Sequence, residues 1–337
     1  MKRSDQLSHH VQAFFQEYLS AQRGLSPNTV FAYRDTMKLY LSFLAGHLGK
    51  RVTALCPDDL HVDTVLAFLE HIERARDNKT VTRNLRLSAL RTFFEYMSAQ
   101  DPLHSDQYRK IVAIPAKQAP KPLIGYLEVS EVKAILDDID RKKAVGRRDY
   151  ALLSFLYNTG ARVQEACDIR VGDVRLDPLL SVTITGKGGK TRIVPLWPET
   201  VELLKDYMEE RGIIDEPSTR IFVNARGEPL TRFGIHHIFK TRTAKASQRC
   251  PGLSGRKISP HVIRHTTAMH LLQSGVDLFV IQSWLGHVNL STTHGYVEID
   301  IEMKRKALSA CAPMGGKGRL KTFISDNRDV ISWLDSL

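Results

Sequence analysis

Apolar residues in the first third of the chain recur with helical spacing. Val11, Phe14, Phe15, Tyr18 and Leu19 lie along one stripe of a first helix. A second is marked at both ends: Ser26 is placed to cap it, Pro27 suits its first position, and Val30, Tyr33, Met37, Tyr40, Leu41 and Leu44 share a face before Gly46. A further helix starts near Thr80 and turns Val81, Leu85, Leu90, Phe93, Phe94 and Met97 mostly inward. That leaves Arg83, Arg86 and Arg91 for its other faces. Periodicity then breaks at Ile114-Pro115-Ala116-Lys117-Gln118-Ala119-Pro120-Lys121-Pro122, whose three prolines predict an extended linker.

Beyond the linker, Val129, Val132, Ile135, Leu136 and Ile139 restart a helix, and an apolar run from Tyr150 to Leu156 leads towards Arg162. Between Leu180 and Leu196 the period changes to two. Val182 and Ile184 alternate with Thr183 and Thr185, Gly186-Lys187-Gly188-Gly189 makes a turn, and Ile193 and Val194 return, as in a hairpin. A short strand is expected at Ile221-Phe222-Val223 with a turn at Gly227, and Ser259-Pro260 opens another helix. With 337 residues the chain has room for two cores. The expected fold class is mainly α with a small antiparallel β-sheet in the second of two domains. Residues 1–112 form a helical domain, 113–122 the linker, 123–311 the second domain and 312–337 a tail.

The formal net charge of +11 points to a polyanionic partner, nucleic acid before membrane; the plainer reading of such charge is solvated basic faces. Cys56, Cys167, Cys250 and Cys311 are widely separated without a C-x-x-C pair. This argues against a zinc knuckle or a disulfide framework and for reduced thiols in the cytoplasm. The chain starts Met1-Lys2-Arg3-Ser4-Asp5-Gln6 with no apolar stretch behind it, unlike a secretory signal. The run around Leu152, Leu153, Phe155 and Leu156 is too short for a bilayer core of about 30 Å.

Candidate chemistry gathers on a few basic residues and one phenol: Arg162, Lys187, His261, Arg264, His287 and Tyr296. Cleavage of a phosphodiester builds charge on its non-bridging oxygens, which guanidinium groups stabilise. A free phenol titrates near ~10, so its attack at neutral pH needs a neighbouring base or a positive field. His261 and Arg264, three residues apart on a helix, share a face and reach the same phosphate. Glu165 is three residues from Arg162, placed to pair with it and orient it. Gly286 is placed to end a helix in the left-handed conformation and so to project His287 at a corner. His261 and His265, four apart, could be read as metal ligands, but no H-E-x-x-H glutamate is present and Arg264 between them would repel a cation.

Local strings carry a resemblance. Thr159-Gly160-Ala161-Arg162 with Glu165, Gly186-Lys187-Gly188-Gly189-Lys190-Thr191-Arg192, His261-Val262-Ile263-Arg264-His265, Leu285-Gly286-His287 and Tyr296 occur in this order. Over roughly residues 10 to 311 the chain resembles the tyrosine recombinases of the phage integrase and Xer-like type. The resemblance implies a SAM-like core-binding domain at the amino terminus and a catalytic domain after the linker. It assigns Tyr296 as nucleophile, Arg162 and Arg264 to the scissile phosphate, His261 as proton acceptor, Lys187 as general acid and His287 as hydrogen-bond donor. It implies a 3′-phosphotyrosine, a Holliday junction, a tetramer on double-stranded DNA with inverted-repeat sites, cyclic exchange of carboxy-terminal segments, and no metal or other cofactor. A second recombinase or an accessory protein is a further possible partner.

Some positions keep two readings. Lys190 and Arg192 compete with Lys187 or grip phosphate, and Arg83, Arg86 and Arg91 either touch DNA phosphates or form a solvated basic surface. The tail, with Val330, Ile331, Trp333, Leu334 and Leu337, is read as docking on a neighbouring protomer or regulating Tyr296, against a disordered end as the plainer reading. At the level of function, the rivals are a type IB topoisomerase with the same chemistry and a non-catalytic DNA-binding regulator.

Overall fold

The computed structural model describes residues 3–119, 125–256 and 258–286, in two compact units, Met1–Pro122 and Leu123–Leu337. Every regular element described in the first is helical. Helix α1 (Arg3–Ala13) runs into a π-helical stretch, Phe14–Gln22. Helix α2 (Pro27–His47) begins as expected: Ser26 Oγ accepts from the Thr29 N–H at 3.4 Å and Pro27 fills the first turn. Helices α3 (Val62–Arg74), α4 (Thr80–Gln100) and α5 (Ser105–Val112) complete the unit. At its centre is α4, whose Leu87, Leu90, Phe93, Phe94 and Met97 are fully buried against α2, α3 and α5. Around it the core is aromatic, with Phe14 meeting Phe93 edge-on at 5.1 Å and Tyr40 meeting Phe68 at 5.4 Å.

The first turns of α4 depart from expectation. Val81 and Leu85 are exposed and Arg83 is buried, because the apolar cover of α4 begins only at Leu87. The Arg83 guanidinium donates to Asn84 Oδ1 at 3.1 Å and to the Pro115 carbonyl at 3.5 Å, and Arg91 donates to the Ile114 carbonyl. Asn84 exchanges two hydrogen bonds with the Lys117 backbone, at 2.7 and 3.1 Å. Residues 114–117 are therefore strapped to α4, and their carbonyls, lacking a ladder, take side-chain donors instead. Arg83 and Arg91, expected at DNA phosphates, serve this strap, while Arg86 leans on Thr36 Oγ1 at 3.4 Å. Of the expected linker, Pro120, Lys121 and Pro122 lie outside the described residues.

In the second unit, α6 (Val129–Asp137) leads to α7 (Ala144–Thr159), a central helix with Ala151, Leu152, Leu153, Phe155 and Leu156 all buried. An element apolar on most sides must be covered on most sides, and helices α9 (Pro198–Glu210) and α11 (Pro260–Gln273) supply that cover. After the short α8 (Val163–Asp168) come β1 (Val174–Arg175), β2 (Ser181–Thr185) and β3 (Thr191–Pro195), an antiparallel sheet in the order β1-β2-β3. Val182 faces Val194 and Thr183 faces Ile193, the expected hairpin with one buried face. The expected strand at 221–223 is reduced to an isolated bridge between Val223 and Pro229, since proline cannot donate to a ladder. The chain then forms α9 (Pro198–Glu210), α10 (Arg232–Ala246), α11 (Pro260–Gln273) and α12 (Leu278–Leu285). No helix among the described residues is long and apolar enough to cross a membrane.

In the first unit His104 bridges two carboxylates, Nε2 to Asp58 at 2.9 Å and Nδ1 to Asp101 at 2.8 Å. Burial alone would lower its pKa, but the bonds to Asp58 and Asp101 outweigh burial and raise it above the ordinary value. A histidine whose folded pKa is raised contributes stability that is full below the unfolded value of about 6.5 and is lost as pH climbs through the folded value. In urea denaturation of the first unit, the gap between wild type and His104→Gln is expected to be wide at about pH 5.5 and to narrow by about pH 8.5. A gap independent of pH would show that the imidazole is not held charged.

Candidate active site

Three chain reversals build the site. Helix α7 stops at Gly160, whose left-handed backbone (φ +59°) is open to glycine at little cost. The turn brings Arg162 out in extended form before α8 begins. A Cβ at position 160 would lie 2.5 Å from Leu285 Cδ2, so the ends of α7 and α12 touch here. Helix α12 opens with Asp277 Oδ1 accepting from the Phe279 N–H at 2.8 Å and closes at Gly286 with φ +66°, the expected left-handed stop. The third reversal is the β2–β3 turn, where Lys187–Gly189 form a 3-10 turn and both Gly188 and Gly189 have positive φ.

Glu165 lies one turn into α8 and is buried. One of its oxygens accepts from the Arg162 backbone N–H at 2.8 Å and the other from Arg162 Nη1 at 2.9 Å. Arg192, from β3, donates to both oxygens, with Nη2 to Oε2 at 2.6 Å and Nη1 to Oε1 at 3.2 Å. Burial would raise the Glu165 pKa, but the charge and hydrogen bonds of Arg192, then those of Arg162, hold it below the usual carboxylate value. Glu165 is thus an ionised carboxylate clamped between two guanidinium groups.

The same arginines reach α12. Its last carbonyls have no partners within the helix and carry the negative end of its dipole. Arg192 Nε donates to the Trp284 carbonyl at 2.8 Å, Arg264 Nη2 to that of Leu285 at 2.6 Å, and Arg162 Nη2 to that of Gly286 at 3.5 Å. Arg264 also donates through Nη1 to the Gly160 carbonyl at 2.7 Å. Three consecutive carbonyls therefore hold three guanidinium groups, contributed by β3, α11 and the turn before α8. Arg162 and Arg264, far apart in sequence, meet at one corner.

His261 lies one turn before Arg264 on α11, at the surface. Its pKa is held below the ordinary histidine value, first by partial loss of hydration and then by the charges of Arg264 and Arg162. The His265 ring packs edge-on against it with centroids 4.5 Å apart and is itself pushed down to about 4 by burial, His261 and Arg264. For His261 both effects, lost hydration and the neighbouring charges, favour the neutral imidazole over its protonated form. Lys190 is exposed in the β2–β3 turn. Of Lys187 the backbone opens that turn and the side chain is not described; His287, Tyr296 and the tail 312–337 lie outside the described residues.

Arg192 is the residue whose place differs most from expectation. Read as a DNA contact, it is turned inward with its side chain 9% exposed, against 42% for Arg162. A buried carboxylate within reach of β3 captures it, and no spacing in the sequence announces that pairing. The Gly160 carbonyl, a support of Arg264, was equally invisible in the sequence. A cleft of about 550 Å³ lined by Ile139, Tyr150, Leu203 and Tyr207 contains none of these residues; in the cluster Arg162 and His261 reach the surface, while Glu165 and Arg264 are buried and Arg192 is turned inward.

The chain matches two family descriptions: "Phage integrase family" over residues 125–303 and "Phage integrase, N-terminal SAM-like domain" over residues 13–101. It is 34% identical over 337 residues to the putative integrase/recombinase y4rC of Sinorhizobium fredii, covering 100% of both chains. It is also 34% identical over 310 residues to tyrosine recombinase XerC of Bacillus subtilis, covering 90% of this chain and 96% of the relative. Among solved structures, XerH site-specific recombinase bound to difH substrate, a pre-cleavage complex, superposes with a TM-score of 0.64 at 25% identity, over 83% of this chain and 79% of that one. The Tn1549 transposon integrase in complex with transposon right end DNA reaches 0.68 at 17% identity, over 89% and 98%, a likeness of fold.

Replacement of Gly160 by alanine would force a Cβ into Leu285 on a left-handed backbone. Gly160→Ala is expected to destabilise the second unit by about 1–3 kcal/mol, read by thermal or urea denaturation. An unchanged midpoint would mean that α7 and α12 do not meet as described.

Proposed function

The chain belongs to the phage integrase family, the tyrosine recombinases, and on that premise we propose that it exchanges DNA strands at specific sites through a 3′-phosphotyrosine. Tyr296 attacks the scissile phosphorus as His261 accepts its phenolic proton. The phosphorus–O5′ bond breaks, and Lys187 protonates the departing oxygen, which would otherwise leave as a strongly basic alkoxide. Arg162 and Arg264 neutralise the two non-bridging oxygens and His287 donates a further hydrogen bond. Attack by a partner strand's 5′ hydroxyl on the phosphotyrosine reverses each step and conserves the phosphodiester without any external energy source.

One observation carries this reading: Arg162 and Arg264 converge on the carbonyls of residues 285 and 286, directly before His287. Cations brought together at such a corner repel one another and favour an anion between them. Arg264 is 1% exposed, so its contact with phosphate requires its guanidinium to become accessible on the DNA. The amino-terminal unit serves as the core-binding domain on the duplex. Two rounds of exchange pass through a Holliday junction and use four protomers, linked by exchanged carboxy-terminal segments. Supporting the DNA assignment, the XerH relative is bound to difH substrate and the Tn1549 integrase, alike in fold, to transposon end DNA. The repeats flanking the gene, whether of a mobile element or a replicon, are the natural substrates to try.

Incubation with a nicked duplex carrying those repeats should yield a protein–DNA adduct that survives denaturant. Tyr296→Phe should abolish the adduct and retain DNA binding. Binding by the wild type with no adduct would instead establish a non-catalytic DNA-binding regulator, and relaxation of supercoiled DNA without site preference would establish a topoisomerase.

A further inference from the structure

We propose that Arg192 is a positioning residue for the strand-transfer reaction, holding Arg162, the β2–β3 turn and the end of α12 in register at once without touching DNA; this role rests on the recombinase reading above. Every hydrogen bond described for its guanidinium runs inward, two to Glu165 and one to the Trp284 carbonyl. Through Glu165 it fixes Arg162, since both guanidinium groups share that carboxylate and the Arg162 backbone N–H is bound to it as well. Through Trp284 it fixes the end of α12.

Two glycines make room for this arrangement. A Cβ at Gly286 would lie 3.1 Å from Arg192 Cδ and 3.3 Å from its Nη1, and a Cβ at Gly186 would lie 3.1 Å from Glu165 Oε1. Gly286 immediately precedes His287, and Gly186 immediately precedes Lys187. The Arg192–Glu165 pair thus lies so close to the chain one residue before each of two proposed catalytic groups that only glycine leaves it room, and it bonds directly to a third. Lysine cannot replace it, because an ammonium is a single point and lacks the planar fork that engages a carboxylate and a carbonyl together.

The experiment compares wild type, Arg192→Lys, Arg192→Gln and the pair Arg192→Gln with Glu165→Gln on the nicked duplex, measuring affinity, its salt dependence, and the single-turnover rate of adduct formation at saturating protein. Breaking one half of a buried ion pair strands a charge, whereas removing both halves is far better tolerated, so the paired variant covers the case in which Arg192→Gln fails to fold. The expected result is affinity and salt slope close to wild type and a saturating rate reduced about 10- to 100-fold, in Arg192→Lys and in the folded paired variant alike. A salt slope lowered by about 1 would make Arg192 a phosphate contact and overturn the role. A wild-type saturating rate in the folded paired variant would reduce Arg192 to a structural tie and overturn it too. Absence of adduct in the wild type would instead defeat the recombinase reading itself, and this role with it.

Discussion

The end of α12 is the constraint on which the site depends. A helix leaves its last carbonyls without partners and concentrates partial negative charge there. In this protein those carbonyls are answered by guanidinium groups from three other elements, β3, α11 and the turn before α8. The arrangement satisfies buried oxygens, holds several positive charges close together, and fixes the point from which the chain proceeds to His287. Gly160 and Gly286 permit it, one by letting α7 end against Leu285 and the other by turning the backbone left-handed beside Arg192.

Within that cluster the arginines divide their tasks by exposure. Arg192 is buried on Glu165, a carboxylate that two cations keep ionised. Arg162 bonds the same carboxylate through Nη1 and the Gly286 carbonyl through Nη2, yet its side chain stays 42% exposed. Arg264 is almost wholly covered and supported by two carbonyls. The same positive field acts on His261, adding to its partial dehydration and favouring the neutral form. Under the proposed roles, the charge that receives a phosphate also adds to the burial that favours an unprotonated His261.

Much of this was legible in the sequence because local rules determined it. The Ser26-Pro27 start of α2, the alternation of Val182 and Ile184, the stop at Gly286, the pairing of Arg162 with Glu165 and the shared face of His261 and Arg264 all follow from spacing along one element. What was not legible depends on contacts between elements. An arginine in a glycine-rich basic turn looks the same whether it meets DNA or a carboxylate on another element, so Arg192 was misplaced. The bonds of Arg83 and Arg91 were hidden likewise, since nothing near them in sequence reveals that the proline-bearing segment at 114–117 would bring its carbonyls back to α4. Val81 and Leu85 fit a helical stripe yet remain exposed because the elements packed on α4 do not reach that far.

The central claim is that Arg162 and Arg264, joined at the end of α12, hold a single phosphate. An experimental structure of Tyr296→Phe bound to the nicked duplex measures this most directly. The account predicts both guanidinium groups at about 3 Å from non-bridging oxygens of the same scissile phosphate, with the residue 296 ring facing its phosphorus. Guanidinium groups bound to different phosphates, or left on the α12 carbonyls while DNA lies elsewhere, would contradict it.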